Sequence, residues 1–61
     1  MTVNTINGKI TANKETLNLI SIAFLDAAKH YTNEGADAIA ERFGRVSDEI
    51  YRELKESGYY D

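Results

Sequence analysis

The chain has 61 residues, and a domain of that size buries only about 60% of the surface its unfolded chain exposes, so a support beyond its own core is expected. With no cysteine and a single histidine, a disulfide framework, a thiolate metal centre and a multi-histidine site are all excluded, which leaves association as that support. Ten acidic residues against seven basic ones give a net charge of −3, the opposite of the lysine- and arginine-rich face by which nucleic-acid binders release counterions.

The hydrophobic fraction of 43% is too high for a disordered tail. No stretch has the apolar length of a membrane span and no basic-then-apolar leader opens the chain, so the expected location is the cytoplasm.

In chain order, residues 2–12 carry β-branched side chains around Asn7-Gly8, a dipeptide suited to a type I′ turn because both positions tolerate positive φ. The expected hairpin pairs Ile6 with Lys9 and Val3 with Ala12, and places Val3, Ile10 and Ala12 on one face. So thin a face must pack on something else, the alternative being a partly ordered arm.

Asn13 is a good N-cap, and Glu15 lies in the first turn where the helix dipole favours negative charge, so a first helix is expected over residues 14–33. One stripe of it is Leu17, Ile20, Phe24, Ala28 and Tyr31. Leu19, Ile22 and Leu25 point largely away from that stripe, so this helix is apolar almost all the way round and needs a second partner. These three residues are the expected oligomer interface.

Gly35 can close the first helix and Asp37 can cap the next, which makes the connection short and the two helices antiparallel. The second helix is expected over residues 36–57, with Ile39, Phe43, Val46, Ile50 and Leu54 on its inner stripe. Its outer face is a charge ladder in two runs, Glu41-Arg45-Glu49 and Asp48-Arg52-Glu56, each pair contributing about 0.2–0.5 kcal/mol. Ala40, Gly44 and Ser47 on its flank would let the first helix approach closely at Ala23, Ala27 and Ala28. Gly58 ends the helix before a tail, residues 58–61.

The expected fold is therefore α+β and mostly α: one domain, residues 1–61, with a short N-terminal β-hairpin and an antiparallel two-helix hairpin that assembles into an oligomer with a shared helical core.

Chemical constellations are scarce. Asp26, His30 and Glu34 repeat at four-residue spacing, as a metal row or proton-transfer pair would, but a histidine near a helix C-terminus is ordinarily a surface residue favoured by the dipole. No glycine-rich phosphate loop, serine–histidine pair or buried carboxylate pair is present, so neither an enzyme nor a cofactor is expected. Tyr59 and Tyr60 combine apolar area with a polar tip and suit a partner contact. With Glu49 and Glu53 they are the candidate partner-binding residues, the other reading of the tyrosines being a cover over the open end of the helix pair.

The segment Ile39-Ala40-Glu41-Arg42-Phe43-Gly44, followed by Ser47 and Ile50-Tyr51-Arg52-Glu53-Leu54, resembles a bacterial helix-turn-helix, which would imply a DNA-binding regulator. Arg45 stands where that pattern has an apolar residue after the glycine, and the would-be recognition helix opens with acidic Asp48 and Glu49. Ala38 to Phe43, Asp48 to Leu54 and the ending Gly58-Tyr59-Tyr60-Asp61 resemble very short proteins of phages and prophages of low-GC bacteria. That resemblance implies a dimeric protein that binds and disables a host defence or regulatory protein in the host cytosol.

The expected function is thus a non-enzymatic, homo-oligomeric binding protein of anti-defence type, with itself and a host protein as partners and neither nucleic acid nor membrane. The acidic side chains Asp26, Glu34, Asp37, Glu41, Asp48, Glu49, Glu53 and Glu56 could mimic nucleic acid or merely solvate the surface. The alternatives are the helix-turn-helix regulator and a sponge for a nucleotide-like ligand.

Overall fold

Asn13 sets the start of the first helix: its Oδ1 accepts the Thr16 N–H at 2.7 Å, satisfying one of the free donors of the first turn. In the computed structural model, which describes all 61 residues, the elements are β1 (Thr2–Thr5), β2 (Gly8–Thr11), α1 (Lys14–Asn33) and α2 (Asp37–Glu56). The hairpin and the helix pair expected from the sequence are both present.

The hairpin register differs from the expectation. Val3 pairs with Ile10 and Thr5 with Gly8, so the loop is Ile6-Asn7 and not Asn7-Gly8. Neither loop residue has positive φ; that conformation falls on Gly8, at +129°. A type I′ turn is therefore not used. The Thr5 side chain holds the loop instead, its hydroxyl accepting the Asn7 N–H at 3.2 Å and donating to the Gly8 carbonyl at 3.1 Å. Because the register shift is two residues, the faces are preserved. Val3 is fully buried, Ile10 and Ala12 pack beside it, and Thr2 and Thr11 meet outside with hydroxyls 2.8 Å apart. Beyond the strand ends, the Met1 ammonium donates to the Ala12 carbonyl at 3.0 Å and the Ala12 N–H donates back to Met1 at 3.1 Å.

Both helices end in the same way. Gly35 (φ +80°) and Gly58 (φ +82°) each take the left-handed conformation just past the helix end. The Gly35 and Ala36 N–H groups bond the Thr32 and Tyr31 carbonyls, and the Gly58 and Tyr59 N–H groups bond those of Lys55 and Leu54. These are Schellman motifs, which satisfy last-turn carbonyls and turn the chain sharply. The first one folds α2 back antiparallel to α1. Asp37, expected to cap α2, is instead its first helical residue; the cap is Ala36, with no side-chain bond, and Asp37 acts through its charge in the first turn.

The core is small: Val3, Leu17, Val46, Ile50 and Leu54, with Ile20, Phe24, Met1 and Tyr59 packed around it. The helices also meet through an aromatic chain in which the Phe24 and Phe43 rings lie edge to face at 5.4 Å and Tyr31 stacks on Phe43 at 5.5 Å. α2 runs unbroken through Gly44, where an added Cβ would lie 3.9 Å from the Ala28 Cβ. The segment that resembles a helix-turn-helix is thus one continuous helix. No helix is long and apolar enough to cross a membrane.

Candidate interaction surface

The side chains that α1 cannot bury within its own chain collect on one side of it. Leu19 is 61% exposed, Ile22 52% and Leu25 46%. At 100° per residue these three span an arc of about 120° centred on Ile22, turned away from the buried Leu17 and bordered by the buried Ser21.

Beside this arc the two helices form a shallow groove of about 340 Å³, lined by Ile22 and Leu25 from α1, Tyr51 and Asp48 from α2, and Tyr60 from the tail. Its floor is the pair Ser21 and Ser47, both buried. Each hydroxyl donates across the helix interface: Ser47 Oγ to the Ser21 carbonyl at 2.8 Å, and Ser21 Oγ to the Ser47 carbonyl at 3.2 Å. Small side chains let the backbones approach there, and the mutual bonds remove the cost of burying two hydroxyls. Ser47 was legible as a small flank residue, but Ser21 was not singled out by any sequence signal.

The tail positions the end of the groove. Gly58 reverses the chain so that Tyr59 turns inward to pack on the core and Tyr60 turns outward, its hydroxyl donating to Asn18 Oδ1. Tyr60 lies 5.2 Å from the Tyr51 ring and edge-on to Tyr59 at 5.1 Å. Loss of hydration, and next the neighbouring Tyr51 and Tyr59 hydroxyls, hold the Tyr60 phenol above its ordinary pKa.

Of the four residues expected to contact a partner, Tyr60 is exposed at the groove, while Tyr59 is half-buried against the core. Glu53 is exposed and Glu49 half-buried, with its Oε2 buried and without a hydrogen-bond partner. Both glutamates lie about 160° around α2 from Tyr51, at 100° per residue. The structure therefore does not bring the tyrosines and these acids onto one surface.

Asp26, His30 and Glu34 are all exposed, the His30 ring sits edge-on to Tyr31 at 5.3 Å, and no group of three histidine or acidic side chains is gathered to hold a metal ion. Of the charge ladder on α2, the Glu41–Arg45 pair closes at 2.8 Å between two exposed side chains. Such a pair contributes at most about 1 kcal/mol.

Comparison of the chain with protein-family models, with curated proteins and with solved structures found no match.

Proposed function

We propose that the chain is a non-enzymatic, homo-oligomeric binding protein, acting in the cytosol by occupying the surface of another protein. The observation that carries this reading is the continuous apolar margin formed by Leu19, Ile22, Leu25, Tyr51 and Tyr60, each more than two-fifths exposed in the single chain. Exposed aromatic side chains contiguous with an aliphatic patch are common anchors of a protein interface. With the resemblance to short phage proteins, the favoured setting is a phage-encoded inhibitor of a host defence or regulatory protein.

The α1 arc serves self-association, and Tyr60 with Tyr51 at its border serves the partner. Tyr60→Ala in a tagged chain should lose a host protein that the unaltered chain retains from lysate, with the helix content and melting temperature nearly unchanged. Retention of the same protein by Tyr60→Ala removes the tail from the contact; retention of DNA instead, with affinity falling steeply with salt, replaces the reading by that of a DNA regulator. A second reading, a sponge for a small aromatic ligand, is favoured by the groove itself, since about 340 Å³ with two tyrosines and a polar floor is at the lower end of small-molecule sites. Its mark is a bound compound released on denaturation.

A further inference from the structure

The exposed arc of α1 is self-complementary when read in opposite directions from Ile22. Leu19 and Leu25 lie three residues before and after it, Asn18 and Asp26 four, and Glu15 and Lys29 seven. All seven positions fall within about 60° of Ile22 around the helix axis. Glu15, Leu19, Ile22, Leu25, Asp26 and Lys29 are exposed, and neither Glu15 nor Lys29 makes an ion pair within its own chain.

We infer that α1 docks antiparallel on α1 of a second copy, about a two-fold axis passing through Ile22. An isologous interface requires that residue i meet residue j whenever j meets i, and this arrangement meets that requirement with matched chemistry. Ile22 meets the partner's Ile22, Leu19 meets the partner's Leu25, and Glu15 meets the partner's Lys29, each hetero-pair occurring twice. A parallel arrangement in the same register would instead set Glu15 against Glu15 and Lys29 against Lys29. A shallow crossing of about 20°, as in four-helix bundles, keeps the charged pairs in reach seven residues from the axis.

The exposed parts of Leu19, Ile22 and Leu25 come to roughly 300 Å² per chain, so two copies bury about 600 Å² from these three side chains, and the flanking Glu15, Asn18, Asp26 and Lys29 bring the contact toward the roughly 1,000 Å² of a specific interface. The result is a dimer in which α1 is covered on two sides, by α2 of its own chain and by α1 of the second copy, so a second apolar interface is added to a core of only five buried residues.

The chain has no native cysteine, so single cysteines report the geometry. Helix axes 8–10 Å apart leave the two Ile22 Cα atoms about 3.5–5.5 Å apart, within disulfide reach, whereas two Leu19 positions in an antiparallel pair are separated by about 9 Å along the axis alone. Ile22→Cys should crosslink with itself on mild oxidation, and Leu19→Cys and Leu25→Cys should not.

Glu15→Lys or Lys29→Glu alone should weaken the dimer about tenfold at low salt, and the two together should restore it. Self-crosslinking of Leu19→Cys as readily as Ile22→Cys, or failure of the double charge exchange to restore association, overturns the proposal. The inference rests on the homo-oligomer reading: a dimer that does not crosslink through Ile22→Cys loses this geometry and keeps that reading, while a chain that sediments as a folded monomer loses both.

Discussion

Ser21 and Ser47 each place a hydroxyl against the other's backbone, the closer bond, from Ser47 Oγ to the Ser21 carbonyl, being 2.8 Å long. The pair fixes how α2 slides along α1, because a one-residue displacement breaks both bonds and puts larger side chains at the closest approach. Ser47→Ala should cost about 0.5–1.5 kcal/mol by denaturant unfolding, the usual net value of one hydrogen bond. Ser47→Leu should cost more, about 1–3 kcal/mol or above, by forcing the helices apart.

Gly44→Ala is expected to raise stability. The added Cβ meets Ala28 at an ordinary contact distance of 3.9 Å, so helix propensity decides the sign, with a gain approaching 1 kcal/mol. A shift of the urea midpoint upward with unchanged slope is the measurement. A downward shift shows that the helices are closer at this point than their backbones indicate.

Ile22→Asp should dissociate the oligomer. The side chain is half exposed in the single chain, so the charge is tolerated there, but at the centre of a dimer contact it would sit unpaired beside its symmetry mate. Sedimentation at a series of concentrations should show the dissociation constant rising at least 100-fold, about 2.7 kcal/mol. Association unchanged by this substitution places the contact elsewhere.

The two tail tyrosines should separate in behaviour. Tyr59→Ala uncovers the core and is expected to cost about 1.5–3 kcal/mol, whereas Tyr60→Ala, which removes an exposed ring, should barely move the melting temperature. A double alanine variant therefore tests folding before it tests binding.

Alkaline titration gives an independent check on the tail. Because the Tyr60 phenol is held above the ordinary tyrosine pKa of 10.0, the folded state retains its proton more tightly than the unfolded one. The associated stability is fully present below pH 10 and is lost as the pH rises through the higher folded-state value. Tyrosinate absorbance and the Asn18 side-chain amide resonance should change together in that range. In Tyr60→Phe the Asn18 change should vanish; its persistence would place the titrating group elsewhere.

The helices were legible because their ends carry local signals: Asn13 caps α1 through its own side chain, and Gly35 and Gly58 supply the positive φ of the two reversals. The hairpin was legible in existence and facing but not in register, since the pairing is decided by the Thr5 hydroxyl and the backbone of Gly8, which no propensity for Asn-Gly anticipates. At the start of α2 the cap is Ala36 and not the expected Asp37, because a good capping residue one position late still serves the dipole. At the surface, the exposed aliphatic arc followed from periodicity alone, whereas the groove floor did not. Ser21 and Ser47 are remote in sequence, and a buried serine pair has no spacing by which to be seen. The inward turn of Tyr59 and outward turn of Tyr60 also depend on tertiary contacts, with the core and with Asn18 in turn, that sequence does not reveal.

Val3, near the start of the chain, shares one core cluster with Leu54, near its end. The helix pair and the β-hairpin are each built from neighbours in sequence and can form quickly, but this contact has to close almost the full length of the chain, at the loop-closure entropy that such a span entails. Docking of the hairpin is thus expected to be the late step in folding and the first to reverse. Amide hydrogens in β1, β2 and the last turns of α2 should exchange as one cooperative unit, ahead of those in the middle of α1.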